Sequence, residues 1–202
     1  MDPFDVLIVG AGPAGCAAAI RCAAQGARVG LIETLAFSRE RPGETLHPGV
    51  EQLFDQLGVG AAVRAANFVR HPGIRVRQGS GPWQEQAYGV DERGPWLGFQ
   101  APGGALDTLL LTRAVEVGVT LIRPARALAP CLRDGNVTGV ETTTGTFHAR
   151  WVLDGTGSRQ WLARSLGIGN EHHSPKRTVS FGYAGGEFTD DSWPELHCTD
   201  AG

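Results

Sequence analysis

The first part of the chain combines short apolar runs with a segment of helical character. Val6–Val9 is apolar without polar alternation, which is typical of a parallel strand buried on both faces. The alanine-rich segment Pro13–Gln25 predicts a helix, and Gly26 ends it. Arg28–Ile32 predicts a second strand. These residues therefore predict a β-α-β unit at the start of the chain.

Helical spacing of apolar residues returns in the middle of the chain. One predicted helix begins after Pro48 and ends at Gly58, and a short helical piece covers Ala61–Ala66. A longer helix is predicted over Leu106–Val117, with Gly118 after it. The residues expected to face inward in the two longer helices are Val50, Leu53, Phe54, Leu57, Leu106, Leu109, Leu110 and Ala114.

Two other regions alternate between apolar and polar residues, as half-exposed antiparallel strands do. The first region is Ile74–Gln100. The second, Ala127–Phe147, contains three short runs separated by Asp134-Gly135 and Thr144-Gly145, which are hairpin signals. The second region therefore predicts a small antiparallel meander.

The last part of the chain predicts another strand-turn-helix unit. Trp151–Leu153 predicts a buried strand that leads into Asp154–Gly157, and a helix follows over Arg159–Leu166. Thr178–Phe188 predicts a further strand. The order of these elements predicts an α/β fold with a parallel sheet, an antiparallel meander and part of a second, antiparallel sheet.

The turn after the first strand has the sequence pattern of a dinucleotide-binding site. Gly10, Gly12 and Gly15 form G-x-G-x-x-G, in which the glycines allow a tight turn, approach of a pyrophosphate and close helix packing. Glu33 ends the second strand, where a carboxylate accepts hydrogen bonds from a ribose diol and repels a 2′-phosphate. The residues expected to hold the phosphates are Gly10, Ala11, Gly12, Pro13, Ala14 and Gly15. A glycine-rich turn in an ordinary β-α-β unit is the alternative interpretation.

Composition excludes several classes of function. The 202 residues are 42% hydrophobic with a net charge of −3, which disfavours a nucleic-acid partner. The four cysteines have no C-x-x-C spacing and predict free thiols in a reducing compartment, and no metal site is expected. No signal peptide precedes the first strand and no apolar run is long enough to span a membrane, so a cytoplasmic location is expected.

Three segments resemble one family. The first is VGAGPAG with Glu33, the second is RPGETLHPGVEQLFDQLGV, and the third is ARWVLDGTGSRQWLARSLG. In this order they resemble the N-terminal half of the FAD-dependent monooxygenase superfamily, which includes aromatic hydroxylases, geranylgeranyl reductases and flavin-dependent halogenases. The resemblance implies a Rossmann-like FAD-binding domain of glutathione-reductase type over residues 1–70 and 102–168. It also implies substrate-domain segments over 71–101 and 169–202.

The resemblance implies roles for further residues. Arg41, Pro42 and Gly43 would pass near the ribityl chain and flavin, and Arg113 would contact a flavin phosphate. The backbone of Ala127 or Leu128 would touch the adenine. Asp154 and Gly155 would close the dinucleotide site, although Asp154 could instead cap the helix that follows. A lone loop histidine such as His47 is more often polar surface, so the catalytic residues stay unassigned.

The resemblance also implies an activity. The complete protein is expected to be an FAD-dependent oxidoreductase, foremost a monooxygenase that uses NAD(P)H and O₂ on a small organic substrate such as an aromatic compound. A geranylgeranyl-reductase-like enzyme, a halogenase-like enzyme and a non-catalytic dinucleotide-binding remnant are the alternatives. A plain NAD dehydrogenase is disfavoured because the meander interrupts regular βα units.

Two departures from the family pattern bear on these alternatives. The active-site lysine and W-x-W-x-I-P segment of the halogenases do not occur, and the only lysine is Lys176. The family's second FAD motif, a G-D segment, would lie beyond residue 202. A fragment is therefore expected, and its retention of FAD, its substrate and its oligomeric state stay open.

Overall fold

The computed structural model describes residues 3–36, 41–169, 171, 173–175, 178–182, 185 and 193–199. The chain divides into two compact units. The first unit comprises Met1–Glu40 and Gly104–Thr178, and the second comprises Arg41–Gly103 and Val179–Gly202. Residues 41–70, which we assigned by sequence to the FAD-binding domain, thus fall in the second unit.

The described residues form short strands and helices along both units. The strands are β1 (Phe4–Val9), β2 (Val29–Ile32), β3 (Glu44–Leu46), β4 (Val69–His71), β5 (Gly73–Gln78), β6 (Gln84–Ala87), β7 (Val90–Asp91), β8 (Gly94–Pro95), β9 (Gly98–Ala101), β10 (Thr120–Ile122), β11 (Ala127–Arg133), β12 (Asn136–Thr142), β13 (Gly145–Asp154) and β14 (Glu195–Cys198). The helices are α1 (Pro13–Ala24), α2 (Val50–Leu57), α3 (Gly60–Ala65), α4 (Gly103–Glu116) and α5 (Trp161–Ser165), and Gly157–Arg159 forms a 3₁₀ turn.

The first unit is built on a six-stranded sheet in the order β10-β2-β1-β13-β12-β11. The first four strands are parallel, with Val6 opposite both Val29 and Trp151. The last three form the expected antiparallel meander. Its turns adopt the left-handed backbone that D-G and T-G favour, with φ of +76° at Gly135 and +136° at Gly145. The predictions of a β-α-β unit and of a meander are confirmed.

The core of the first unit lies around this sheet. A buried cluster joins β1 to the end of β2 and to residues within β12 and β13, and its members are Phe4, Leu7, Val9, Ile32, Ala125, Val140 and Ala149. Cys16, Ala19 and Ile20 of α1 are buried as well, and so are Leu106, Leu110 and Ala114 of α4. The predicted inward positions of α4 are therefore confirmed for these three residues.

The prediction of a separate, buried strand at Trp151–Leu153 is wrong. These residues continue the third meander strand as β13, in which Trp151 is 59% exposed and Leu153 is 39% exposed. The pairing explains the exposure, because β12 pairs with β13 only as far as His148 whereas β1 pairs from Ala149 onward. The second edge of β13 therefore has no strand beside it among the described residues.

The second unit contains two three-stranded sheets, β14-β5-β6 and β3-β9-β4, and the small β7-β8 hairpin. The predicted antiparallel pairing over 74–100 is confirmed for β5 and β6. Phe54 of α2 packs against Phe99 of β9, with ring centroids 6.2 Å apart. Leu53, predicted to face inward, is 54% exposed because α2 buries only a narrow stripe centred on Phe54. Gly58 ends α2 in the left-handed conformation, as predicted.

The C-terminal strand differs from the prediction. Residues 178–182 carry no strand, and residues 183, 184 and 186–188 of the predicted segment lie outside the described residues. The strand found here is β14, which pairs in parallel with β5, Glu195 lying opposite Arg75. The sequence offers a short run, ELHC, with no turn signal toward β5, so this long-range pairing left no local pattern to detect. In the described part of the chain, no helix is long and apolar enough to cross a membrane.

Candidate functional site

The glycine turn is packed backbone against backbone. Gly10 has a φ of +100°, and a side-chain Cβ there would lie 2.6 Å from the carbonyl oxygen of Gly155. A Cβ on Gly15 would overlap the carbonyl oxygen of Gly10. Gly155 is also confined, though less tightly, since its Cβ would meet the Gly10 and Val9 oxygens at 3.0 and 3.1 Å. The turn after β1, the start of α1 and the turn after β13 therefore approach one another as only glycines allow.

The start of α1 has no side-chain cap. Pro13 occupies the first turn, and the N-cap residue Gly12 has no side chain with which to cap the helix. The first turn also has no acidic residue. The free N–H groups and the positive end of the helix dipole are therefore available to a phosphate.

Glu33 joins the end of β2 to the glycine turn. Its side chain is only 5% exposed. Oε2 accepts a hydrogen bond from the backbone N–H of Ala11 at 2.9 Å, and Oε1 accepts one from the N–H of Leu35 at 2.9 Å. The Glu33 carbonyl oxygen also accepts from the N–H of Ala125 at 2.8 Å. The predicted ribose residue thus lies beside the predicted phosphate turn and near the beginning of β11.

Asp154 organises the turn that follows β13. Oδ1 accepts hydrogen bonds from the Thr156 N–H at 2.9 Å and hydroxyl at 2.6 Å, and Oδ2 accepts from the N–H of Leu162 at 2.8 Å. Desolvation raises the pKa of this carboxyl, but the three hydrogen bonds outweigh it and hold the pKa below its ordinary value. Asp154 therefore caps α5, which was the alternative interpretation of its place in the sequence.

A groove adjoins this turn and the start of α1. It encloses about 360 Å³ and is lined mainly by small residues. Ala14 and Gly155 form part of its wall, and Ala163 of α5 forms another part. The structure thus brings the phosphate turn and the D-G-T-G turn to a common opening at the carboxyl edge of the parallel strands, where ligands of such sheets bind.

One predicted contact, Arg113, does not lie at this opening. Arg113 lies in the last turns of α4, which leads into the amino end of β10, and its guanidinium pairs with Glu116 at 3.3 Å. Because β10 runs parallel to β1, the end of α4 lies at the edge of the sheet opposite the glycine turn. Leu128 lies in β11, three residues after Ala125, whose N–H donates to the Glu33 carbonyl oxygen, so its role toward an adenine stays a prediction.

Arg41, Pro42 and Gly43 belong to the second unit. The Arg41 guanidinium pairs with Glu44 at 2.9 Å. The Arg41 side chain also packs against the backbone of Gly103, since a Cβ built on Gly103 would lie 2.7 Å from the Arg41 Nε. Arg41 therefore has partners within its own unit, and its role toward a flavin stays a prediction.

His47 lies at the rim of a separate groove in the second unit. It is exposed, its Nδ1 accepts the N–H of Gly49 at 3.1 Å, and its ring contacts Tyr88 edge-on at 4.8 Å. The groove encloses about 610 Å³ and also has Arg70 and Trp96 in its wall. These contacts orient the His47 ring, and the catalytic residues stay unassigned.

Sequence reasoning missed Thr156. Its hydroxyl donates to Asp154 and accepts the N–H of Trp161 at 3.0 Å, so it completes the cap of α5. The signal was present, because a threonine two residues after an aspartate at a strand end favours such a turn. Among the described residues, no cluster of His, Cys, Asp or Glu has the arrangement of a metal site.

Comparison with known proteins identifies the family. A model of the FAD binding domain matches residues 3–197. Menaquinone reductase of Mycobacterium tuberculosis is 31% identical over 97% of this chain and 48% of its own length. A 1H-pyrrole-2-carbonyl-[peptidyl-carrier protein] chlorinase of Pseudomonas fluorescens is 28% identical over 82% of this chain and 42% of its own length. The chain spans about half the length of the curated relatives it matches.

Solved structures give the same result for the fold. The myxobacterial chondrochloren halogenase CndH superposes with a TM-score of 0.76 at 25% identity, over 82% of this chain and 40% of the halogenase. PqsL of Pseudomonas aeruginosa has a TM-score of 0.74 at 23% identity and shares the fold, over 87% of this chain and 48% of PqsL. Because the FAD binding domain model matches nearly the whole chain, this chain belongs to the family of FAD binding domains.

Proposed function

We propose that the first unit holds the ADP half of FAD in an oxidoreductase that acts on a small organic molecule. The observation that carries the proposal is the three-way glycine contact between the turn after β1, the start of α1 and the turn after β13. At this contact the first backbone N–H groups of α1 have no side-chain cap and lie at the carboxyl edge of the strands, where a pyrophosphate fits. The assignment to a glutathione-reductase-type domain is part of this proposal.

The residues of this chain would bind and orient the cofactor. The Gly10–Gly15 amides would face the pyrophosphate, and Glu33 would lie at the adenosine ribose. The backbone of Asp154 and Gly155 would close the phosphate end of the groove. Bound FAD supplies redox chemistry, taking two electrons from a nicotinamide donor and passing them to O₂ or to an organic acceptor.

A monooxygenase that uses NAD(P)H and O₂ is the reaction we place first, on the three sequence segments described above. A reductase is the second candidate, because a menaquinone reductase is a relative over nearly the whole of this chain. For the reductase, a quinone is the substrate class to try. A halogenase-like reaction has support from the chlorinase and from CndH.

The first test is retention of FAD. Purified chain is incubated with FAD, desalted and examined by absorbance, with Gly155→Ala as the disrupted variant and Gly118→Ala as the control. Flavin retained by the parent and the control but lost from Gly155→Ala supports the site. Flavin retained equally by Gly155→Ala contradicts it.

The second test uses the unmutated protein loaded with FAD and distinguishes the three candidate reactions. NADH or NADPH is supplied with aromatic substrates in air, and with a quinone under argon. Oxygen incorporated into the product identifies a monooxygenase, and quinone reduction without oxygen identifies a reductase. Halide-dependent product formation in air identifies a halogenase-like enzyme.

A further inference from the structure

Glu33 has two contacts that the ribose role does not need. Both carboxylate oxygens accept backbone N–H groups, one from Ala11 inside the glycine turn and one from Leu35 after β2. A carboxylate that is 5% exposed needs such partners, because burial of an unsolvated charge is costly. Hydrogen bonds to a charged oxygen are stronger than neutral ones, so they restrain the groups that donate them.

We infer that Glu33 is a positioning residue for the phosphate turn. The Ala11 amide lies between Gly10 and Gly12, and the carboxylate fixes the direction in which that amide points. Without this hydrogen bond the peptide between Gly10 and Ala11 loses the restraint on its N–H side, and glycine allows a wider range of backbone conformations there than other residues do. Rotation would turn the neighbouring N–H groups away from the pyrophosphate.

The inference rests on the proposed FAD site and differs from it in a measurable way. If Glu33 acts only on the ribose, its replacement affects only ligands that carry a ribose diol. If Glu33 acts through the glycine turn, its replacement also weakens ligands without that diol. The two roles can coexist, because each carboxylate oxygen has a second lone pair for a ribose hydroxyl.

Binding of ADP and of 2′,3′-dideoxy-ADP to the parent and to Glu33→Gln separates these readings. The glutamine keeps one carbonyl acceptor, while its NH₂ opposes the other N–H. We expect the dideoxy ligand to bind about tenfold more weakly to Glu33→Gln than to the parent, which corresponds to loss of one charge-assisted hydrogen bond. Glu141→Gln, an exposed glutamate in β12 of the same unit, is the matched control and should change neither affinity. A change of less than threefold for the dideoxy ligand overturns the inference.

Amide hydrogen exchange in the ligand-free protein decides the case if neither nucleotide binds. In Glu33→Gln we expect the Ala11 amide to exchange about tenfold faster, while the Cys16 amide, which bonds to the Gly12 oxygen, stays protected. Equal acceleration at the Ala11 and Cys16 amides would mean general destabilisation, and unchanged exchange at both the Ala11 and the Leu35 amide would mean no restraint. Either result overturns the positioning role. Failure of the parent to bind ADP or FAD would instead contradict the proposed function.

Discussion

Close approach at the glycine turn predicts a graded loss of stability in three Gly→Ala variants. Gly118 has a φ of +91° and open space around it, so its variant measures the backbone strain alone, about 1 kcal/mol. Gly15 has no positive φ, but its Cβ would overlap the Gly10 carbonyl oxygen, which costs about 2 kcal/mol when the packing must shift. Gly10 has both penalties, so we expect roughly 3 kcal/mol for Gly10→Ala.

The measurement is urea unfolding of the FAD-free protein, followed by the NMR amide signals of β1 so that the first unit is observed alone. With a slope of about 2 kcal/mol per molar urea, the midpoint should fall by about 0.5 M for Gly118→Ala, 1 M for Gly15→Ala and 1.5 M for Gly10→Ala. The order matters more than the sizes. A Gly15→Ala variant as stable as the parent would refute the reasoning, because the contact with Gly10 would then be unnecessary.

Two further predictions concern side chains. Asp154→Asn should destabilise α5 by about 1 kcal/mol, because both carboxylate oxygens accept hydrogen bonds and the amide keeps only one acceptor oxygen. The pKa of Asp154 is lower in the folded protein than its unfolded value of 3.8, so its contribution to the free energy of unfolding is present above pH 3.8 and is lost as the pH falls below that value. The unfolding free energies of the unmutated chain and of Asp154→Asn should therefore converge in acid. A difference that stays constant with pH would contradict the capping role. Arg70→Met should cost about 2 kcal/mol, since Arg70 bonds to Glu51 at 3.0 Å and stacks on Phe99 at 4.4 Å; a thermal midpoint equal to the parent's would contradict this.

The beginning of the first unit could be predicted because its signals are local. The apolar run of β1, the glycines and the alanine-rich α1 follow one another within 25 residues, and each limits the backbone by itself. The meander could be predicted equally well, since Asp134-Gly135 and Thr144-Gly145 fix its turns. These parts agree at every level from residue preference to packing.

The features that the sequence did not predict depend on contacts between residues far apart in the chain. The exposure of Trp151 could not be foreseen, because it depends on whether a second strand lies beside β13. The backbone contacts of Glu33 were also hidden, although its place at the end of β2 was predicted. A sequence shows that a carboxylate is near the turn, while the choice between ribose and amide partners depends on distances of a few ångströms.

The pairing of β14 with β5 has a consequence for synthesis on the ribosome. Glu195 pairs with Arg75, so 120 residues must be added before the edge of β5 finds its partner. At about 5–20 residues per second, that edge waits roughly 6–24 s with its backbone groups unpaired. An open strand edge is a template for pairing with other chains. Slow translation or high expression should therefore favour aggregation through β5, before the second unit has received its last strand.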